Sequence, residues 1–101
     1  MTKIILSDTG DSIHVKVKGH NEDSKVCASI STLVLTFSQM ILDSNIKSHM
    51  DLKAGNADIS VKKDDLGMYN LDMIHALNFL RTGFRMLADS YPDKVKVAHR
   101  E

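Results

Sequence analysis

Ile13, Val15 and Val17 alternate with His14, Lys16 and Lys18, the period of two that predicts a half-buried strand. The short apolar segment Lys3 to Ser7 precedes it across Asp8-Thr9-Gly10-Asp11, so the two read as a hairpin that ends at Gly19-His20. From about Ser24 the period changes. Val26, Ile30, Leu33, Val34, Phe37, Met40 and Ile41 recur at the spacing of one helix face. Asp23 or Ser24 suits the N-cap, where a side-chain oxygen accepts a free first-turn amide. The helix is expected to stop near Ser44-Asn45.

A second hairpin is predicted beyond it. Ile46, Ser48, Met50 and Leu52 alternate with Lys47, His49, Asp51 and Lys53, Gly55-Asn56 turns the chain, and Ala57, Ile59 and Val61 return. Lys62 to Gly67 reads as a polar loop. Leu71 to about Ser90 reads as a second helix with Met73, Leu77, Leu80, Phe84 and Leu87 as its stripe. Pro92 fits a stop after it, and Val95 and Val97 supply a last short strand. The order ββαββαβ describes an α+β fold, a mixed or largely antiparallel sheet packed by two helices.

Composition narrows this picture. With 101 residues the chain has room for one core, so residues 1–101 are expected to form a single domain. A hydrophobic share of 43% with 26% charged is ordinary for a soluble globular protein. Thirteen basic residues balance thirteen acidic ones, which removes the usual electrostatic argument for nucleic acid. Lys16, Lys18, Lys47, Lys53, Lys62, Lys94 and Lys96 lie on polar strand positions, but no aromatics interleave with them for base stacking. They read as a solvated face, and no nucleic-acid partner is expected. No apolar run is expected to approach the roughly 20 residues that span a bilayer, so no membrane partner is expected either. The segment Met1 to Asp8 is too short for a signal peptide. The lone Cys27 forms no internal disulfide and no multi-cysteine zinc site. The expectation is a cytoplasmic protein.

Cys27 and His20 are the candidate chemistry. A helix that starts at Asp23 or Ser24 places Cys27 in its first turn, where unpaired amides and the positive end of the helix dipole favour a thiolate. A lone helical cysteine is more often a small buried hydrophobe. His20 sits where a strand stops, directly after Gly19 and seven positions before Cys27. A strand end and the next helix start face one edge of the sheet, which brings a base toward a nucleophile. Gly19 suits a sharp exit from the strand. Ser31 lies one helical turn after Cys27, able to orient thiol or substrate, although a helical serine more often bonds its own i−4 carbonyl. Asn21, Glu22 and Asp23 are read as capping residues rather than as partners of His20. His14, His49, His75 and His99 lack metal-ligand spacing and are read as ordinary surface or core residues.

Val17-Lys18-Gly19-His20, followed by Val26-Cys27-Ala28-Ser29-Ile30-Ser31, resembles the ribosomal-processing cysteine protease family Prp. The second half is similar too, through Leu80-Arg81-Thr82-Gly83-Phe84-Arg85-Met86-Leu87, Ser90-Tyr91-Pro92 and Val95-Lys96-Val97. The resemblance implies a catalytic pair of His20 and Cys27, with Ser31 on the serine that follows one turn later. It implies a bacterial, cytoplasmic, homodimeric endopeptidase that needs no cofactor and no metal. Such an enzyme removes a short N-terminal extension from a large-subunit ribosomal protein, cutting after an aromatic-containing motif. The family's loop between His and Cys is longer and contains glycine; here Asn21 to Val26 intervene. The family's acidic residue three before the cysteine is Ser24 here, with Asp23 beside it. A diverged or phage-borne member cutting a phage structural protein fits both differences. The alternative is a non-catalytic binding module of the same fold acting in ribosome or capsid assembly.

Overall fold

The computed structural model describes residues 1–100. Five strands form one sheet in the order β3-β4-β2-β1-β5. They are β1 (Thr2–Asp8), β2 (Ser12–Lys18), β3 (His49–Lys53), β4 (Asn56–Lys62) and β5 (Val95–Arg100). Two helices, α1 (Ser24–Asp43) and α2 (Asn70–Ser90), complete the predicted ββαββαβ order. The sheet is mixed. β1 runs antiparallel to β2, β2 to β4 and β4 to β3, whereas β1 and β5 are parallel. Each helix therefore joins two strands of the same direction, the connection that a parallel return requires.

Burial alternates along the strands, so a single face of the sheet is covered. Ile13, Val15 and Val17 of β2 are buried in register with Ile4 and Leu6 of β1 and Val61 and Ile59 of β4. Both helices lie on this face. α1 buries Val26, Ile30, Val34, Phe37 and Ile41, and α2 buries Met73, Leu77, Leu80 and Phe84. The helices approach closely at Gly83, where a Cβ would come within 3.1 Å of Leu33 Cδ1. By length and composition α1 is apolar enough to cross a bilayer, unlike the expectation that no apolar run approaches that length. Its buried stripe lies on the sheet, as in a core helix.

The second hairpin begins later than alternation suggests. Ile46 belongs to the end of α1, not to a strand. Asn45 takes the left-handed conformation at φ 55° and donates its N–H to Leu42 O at 3.1 Å, while Ile46 N–H reaches Ile41 O at 3.3 Å. These two bonds form a Schellman closure, and Ile41 and Ile46 are both buried beside it. β3 starts at His49 as a result. The turn into β4 is Ala54-Gly55, with Asn56 already paired to Lys53.

The stretch read as a polar loop is also more ordered. It folds as two 3₁₀ turns, Lys63–Asp65 and Gly67–Tyr69, and Leu66 between them is buried to 2% exposure. Lys63 anchors the first turn to β1 through an ion pair with Asp8 at 2.6 Å.

Phe84 is the largest fully buried side chain. Phe84→Ala is expected to lower stability by about 3–5 kcal/mol in urea unfolding, the cost of a large core cavity. Leu42→Ala, at a position 56% exposed, is expected to stay within about 0.5 kcal/mol of the parent.

Candidate active site

The residues singled out above meet at one end of the sheet. Five residues, Gly19 to Asp23, carry the chain from β2 to α1, and the start of β5 and the β3–β4 turn flank them. Gly19 has φ +96° and its N–H donates to Gly55 O at 2.8 Å. A Cβ on Gly19 would lie 2.7 Å from Met1 O, so the strand leaves the sheet through a gap that only glycine fills.

His20 is exposed and its ring rests against Gly55. A Cβ at Gly55 would fall 2.5 Å from His20 Cε1 and 2.6 Å from Cδ2, and closer still to Nε2. Gly55, at φ +75°, thus has both a backbone and a packing reason to lack a side chain.

Asn21 ties the connection down. Its Nδ2 donates to Lys94 O at 2.9 Å and to Thr2 Oγ1 at 3.3 Å, while its Oδ1 accepts Asp23 N–H at 3.1 Å. Thr2, itself buried, passes the link on by donating to Gly19 O at 3.3 Å.

Asp23 is the helix cap. Its Oδ1 accepts Lys25 N–H at 3.0 Å and Val26 N–H at 3.4 Å. Its Oδ2 accepts Lys94 Nζ at 2.6 Å. Ser24, the alternative cap, is instead the first helical residue, exposed and outside the cleft lining. Cys27 N–H already bonds Asp23 O at 3.0 Å. This corrects one expectation. The first-turn amides of Lys25, Val26 and Cys27 are all engaged, so none of the three is a spare donor beside the thiol.

Cys27 itself is exposed rather than buried, so it is not the small core hydrophobe that a lone helical cysteine usually is. Cys27, His20, Gly19, Asn21 and Ser31 line one cleft of about 260 Å³. Its apolar wall comes from Leu35 of α1 and Leu52 and Ala57 of the second hairpin. Ser31 departs from its neighbours. Ser29, Thr32, Thr36 and Ser38 each donate to their own i−4 carbonyl, whereas the Ser31 hydroxyl makes no such bond among the described residues. It stays available to the cleft. His14 pairs with Asp58 and His99 lies 3.4 Å from Arg81, both away from this cleft. Among the described residues no three His, Cys, Asp or Glu side chains gather as metal ligands would.

Sequence reasoning placed His20, Cys27, Gly19 and Ser31 at this end of the fold but missed the support beneath them. Asn21 and Gly55 were legible only as cap and turn residues, Leu52 only as an apolar position of the second hairpin, and Leu35 fell outside the helix stripe. The partners that give them roles are distant in sequence, as Asn21 and Lys94 are.

No family model matches the chain, and no curated protein matches it. Solved structures do. The essential ribosomal processing protease Prp from S. aureus, in complex with a substrate peptide, superposes with a TM-score of 0.78 at 13% identity, covering 98% of this chain and 99% of that one. The same protease with a covalently linked product peptide gives 0.79 at 14% identity, again over 98% and 99%. SMU.848 from Streptococcus mutans gives 0.73 at 16% identity, over 100% of this chain and 96% of that one. The chain has a Prp-like fold.

Two outcomes follow from this geometry. Gly55→Ala is expected to cost more than about 1 kcal/mol, the penalty of a side chain at positive φ, and to move the His20 ring resonances in an NMR spectrum. The second concerns pH. The hydrogen bond from Lys94 lowers the Asp23 carboxyl below its ordinary 3.8, and the same bond raises the Lys94 amine above 10.5. The Asp23 contribution to stability is therefore complete above pH 3.8 and lost as pH falls through the lowered folded value. The Lys94 contribution is complete below pH 10.5 and lost as pH rises through the raised folded value. Urea midpoints measured across pH are expected to fall less steeply on both limbs in Asp23→Asn than in the parent.

Proposed function

We propose that the chain is a cysteine endopeptidase with Cys27 as nucleophile and His20 as its base. One observation carries the reading: an exposed thiol and an exposed imidazole share a cleft, on a fold whose solved neighbours hold a substrate peptide and a covalently linked product peptide. Cys27 Sγ, its proton passed to His20, attacks the carbonyl carbon of a peptide bond. The C–N bond then breaks, and His20 returns the proton to the departing amine. A thioester remains on Cys27. Water, deprotonated by His20, attacks it and releases the new carboxyl terminus and the free thiol. Ser31, with its hydroxyl free of the helix, positions the thiol or the substrate backbone. The helix start contributes little further charge stabilisation, because Asp23 occupies Lys25 and Val26 N–H.

The substrate is a protein with a short N-terminal extension, either a large-subunit ribosomal protein or a phage structural protein, met in the cytoplasm. The S. aureus neighbour is a ribosomal processing protease, which supports the first. Homodimerisation is part of the same reading. Leu71, Phe79 and Met86 are exposed along the outer side of α2 and give a second copy an apolar stripe to cover. No cofactor or metal takes part.

The occupied first-turn amides favour one rival, a binding module of the same fold that holds a peptide in the cleft without cutting it. Alkylation of Cys27 by iodoacetamide separates the two. A protease is expected to react rapidly at neutral pH, slow at least tenfold in His20→Ala, and cleave an extension-bearing substrate only when Cys27 is present. Slow alkylation that His20→Ala leaves unchanged, with peptide binding intact in both proteins, would establish the module instead.

A further inference from the structure

The face of the sheet turned away from the helices carries a line of cations that alternation alone does not reveal. Strand pairing sets Lys18 directly opposite Lys3, and Lys3 directly opposite Lys96. On the other side, Lys18 pairs with Asn56, and Asn56 with Lys53. One row thus crosses all five strands as Lys53, Asn56, Lys18, Lys3 and Lys96. Its four lysines are all exposed. Lys53 has Asp51 3.7 Å away. Among the described residues, Lys18, Lys3 and Lys96 have no carboxylate partner.

Like charges directly opposite one another across strands destabilise a sheet. Here two such pairs share Lys3, and nothing among the described residues compensates them. The row is a cost to the folded chain that an anionic occupant would remove. We infer that this row binds the phosphate backbone of a single-stranded nucleic acid.

The shape of the charge selects the occupant. The row spans four inter-strand steps of about 4.8 Å, about 19 Å in all, and is one residue wide. The neighbouring row places Asp51 and Asp58 side by side, with Lys16 next to them. A planar anionic lipid surface would meet those carboxylates, whereas a narrow chain of phosphates lying along the lysines avoids them. Ile5 and Ala98 follow in the same row; no Phe, Tyr or Trp from β1, β2, β3, β4 or β5 faces this side, and the two imidazoles that do, His14 (paired with Asp58) and His49, lie two rows from the lysines. Contact is therefore with phosphates, without base stacking, and independent of sequence. The overall charge of zero conceals this, because no acidic residue falls in the row itself; Asp51 and Asp58 stand in the row beside it. Lys53 and Asn56, at one end of the row, also line the cleft, whereas Lys3, Lys18 and Lys96 lie outside it, so variants at Lys3 test the row separately from the peptidase reading.

The test is fluorescence anisotropy of the full chain with a labelled single-stranded RNA of mixed sequence, across a salt series. With three phosphate contacts, a tenfold rise in salt is expected to weaken binding about a hundredfold, from a slope of about −0.7 per contact on single strands. Lys3→Gln is expected to reduce the magnitude of that slope by about 0.7. Lys3→Glu is expected to weaken binding at least tenfold at low salt while leaving the melting temperature equal or higher, because it turns two repulsions into attractions. Lys62→Glu, on the same face but outside the row, is expected to change affinity by less than about twofold. Cys27 alkylation is expected to be unchanged in all three variants. No binding at low salt, equal loss in Lys62→Glu and Lys3→Glu, or binding to poly-glutamate or phosphatidylserine vesicles as tight as to RNA would each overturn the inference.

Discussion

The placement of His20 and Cys27 depends on how the short connection between β2 and α1 is held, and Asn21 with Asp23 does the holding. A five-residue link without regular structure has backbone groups that must find partners, and its side chains supply the local order. Asn21 uses both ends of its amide, binding Lys94 O and Thr2 Oγ1 with its nitrogen and Asp23 N–H with its oxygen. Asp23 then uses both carboxylate oxygens, one for the helix and one for Lys94. The connection is thereby fastened to β1 and to the start of β5, two neighbouring strands from opposite ends of the chain. Lys94 is placed for this by the tight turn at Tyr91, where Lys94 N–H returns to Tyr91 O at 2.9 Å. The direction of the first helical turn, and with it the aim of Cys27, is a consequence of that anchor.

The anchor has an electrostatic cost for the proposed chemistry. A helix start is an anion site because its amides are unpaired. In this chain the resident anion is the Asp23 carboxylate, itself neutralised by Lys94. Cys27 lies one residue beyond the amides it accepts, with its own N–H already inside the helix ladder. Whatever activates the thiol must come from the other side of the cleft, where the lining carries two ionisable side chains, His20 and Lys53, of which only the imidazole can act as a base near neutral pH. Gly55 matters for the same reason: it leaves space for the imidazole against the hairpin turn, so the second hairpin sets the position of the base. The apolar wall of Leu35, Leu52 and Ala57 then faces whatever peptide enters.

The sheet divides the molecule into two faces of different character. The covered face is a continuous apolar core in which the helices approach through Gly83 and Leu33. The open face has no helix over it and carries most of the strand lysines. Its charge pattern depends on which residues fall opposite one another, and that depends on strand order and register. Lys3 shows this best. It sits in a segment that reads simply as apolar, yet pairing sets it between Lys18 and Lys96, at the centre of the cationic row.

Periodicity along the chain was enough for both helices, the first hairpin and the ββαββαβ order, because amphipathic spacing is a local property and each strand or helix carries its own; His20 and Cys27 were singled out by their places at a strand end and a helix start and by the resemblance. It failed at Ile46, where alternation continued past a helix end that Asn45 and the buried pair Ile41 and Ile46 had already closed in another way. It failed again at Leu66, a single apolar residue in a polar stretch whose burial depends on what lies beneath. Composition suggested two caps for α1, and only contact with Lys94, 71 residues away, selected Asp23. The exposure of Cys27, the seat of His20 on Gly55, the two fastenings of Asn21 and the alignment of the lysines all arise between residues far apart in sequence. Local pattern specifies which face of an element is apolar; register and packing decide which residues from different elements meet.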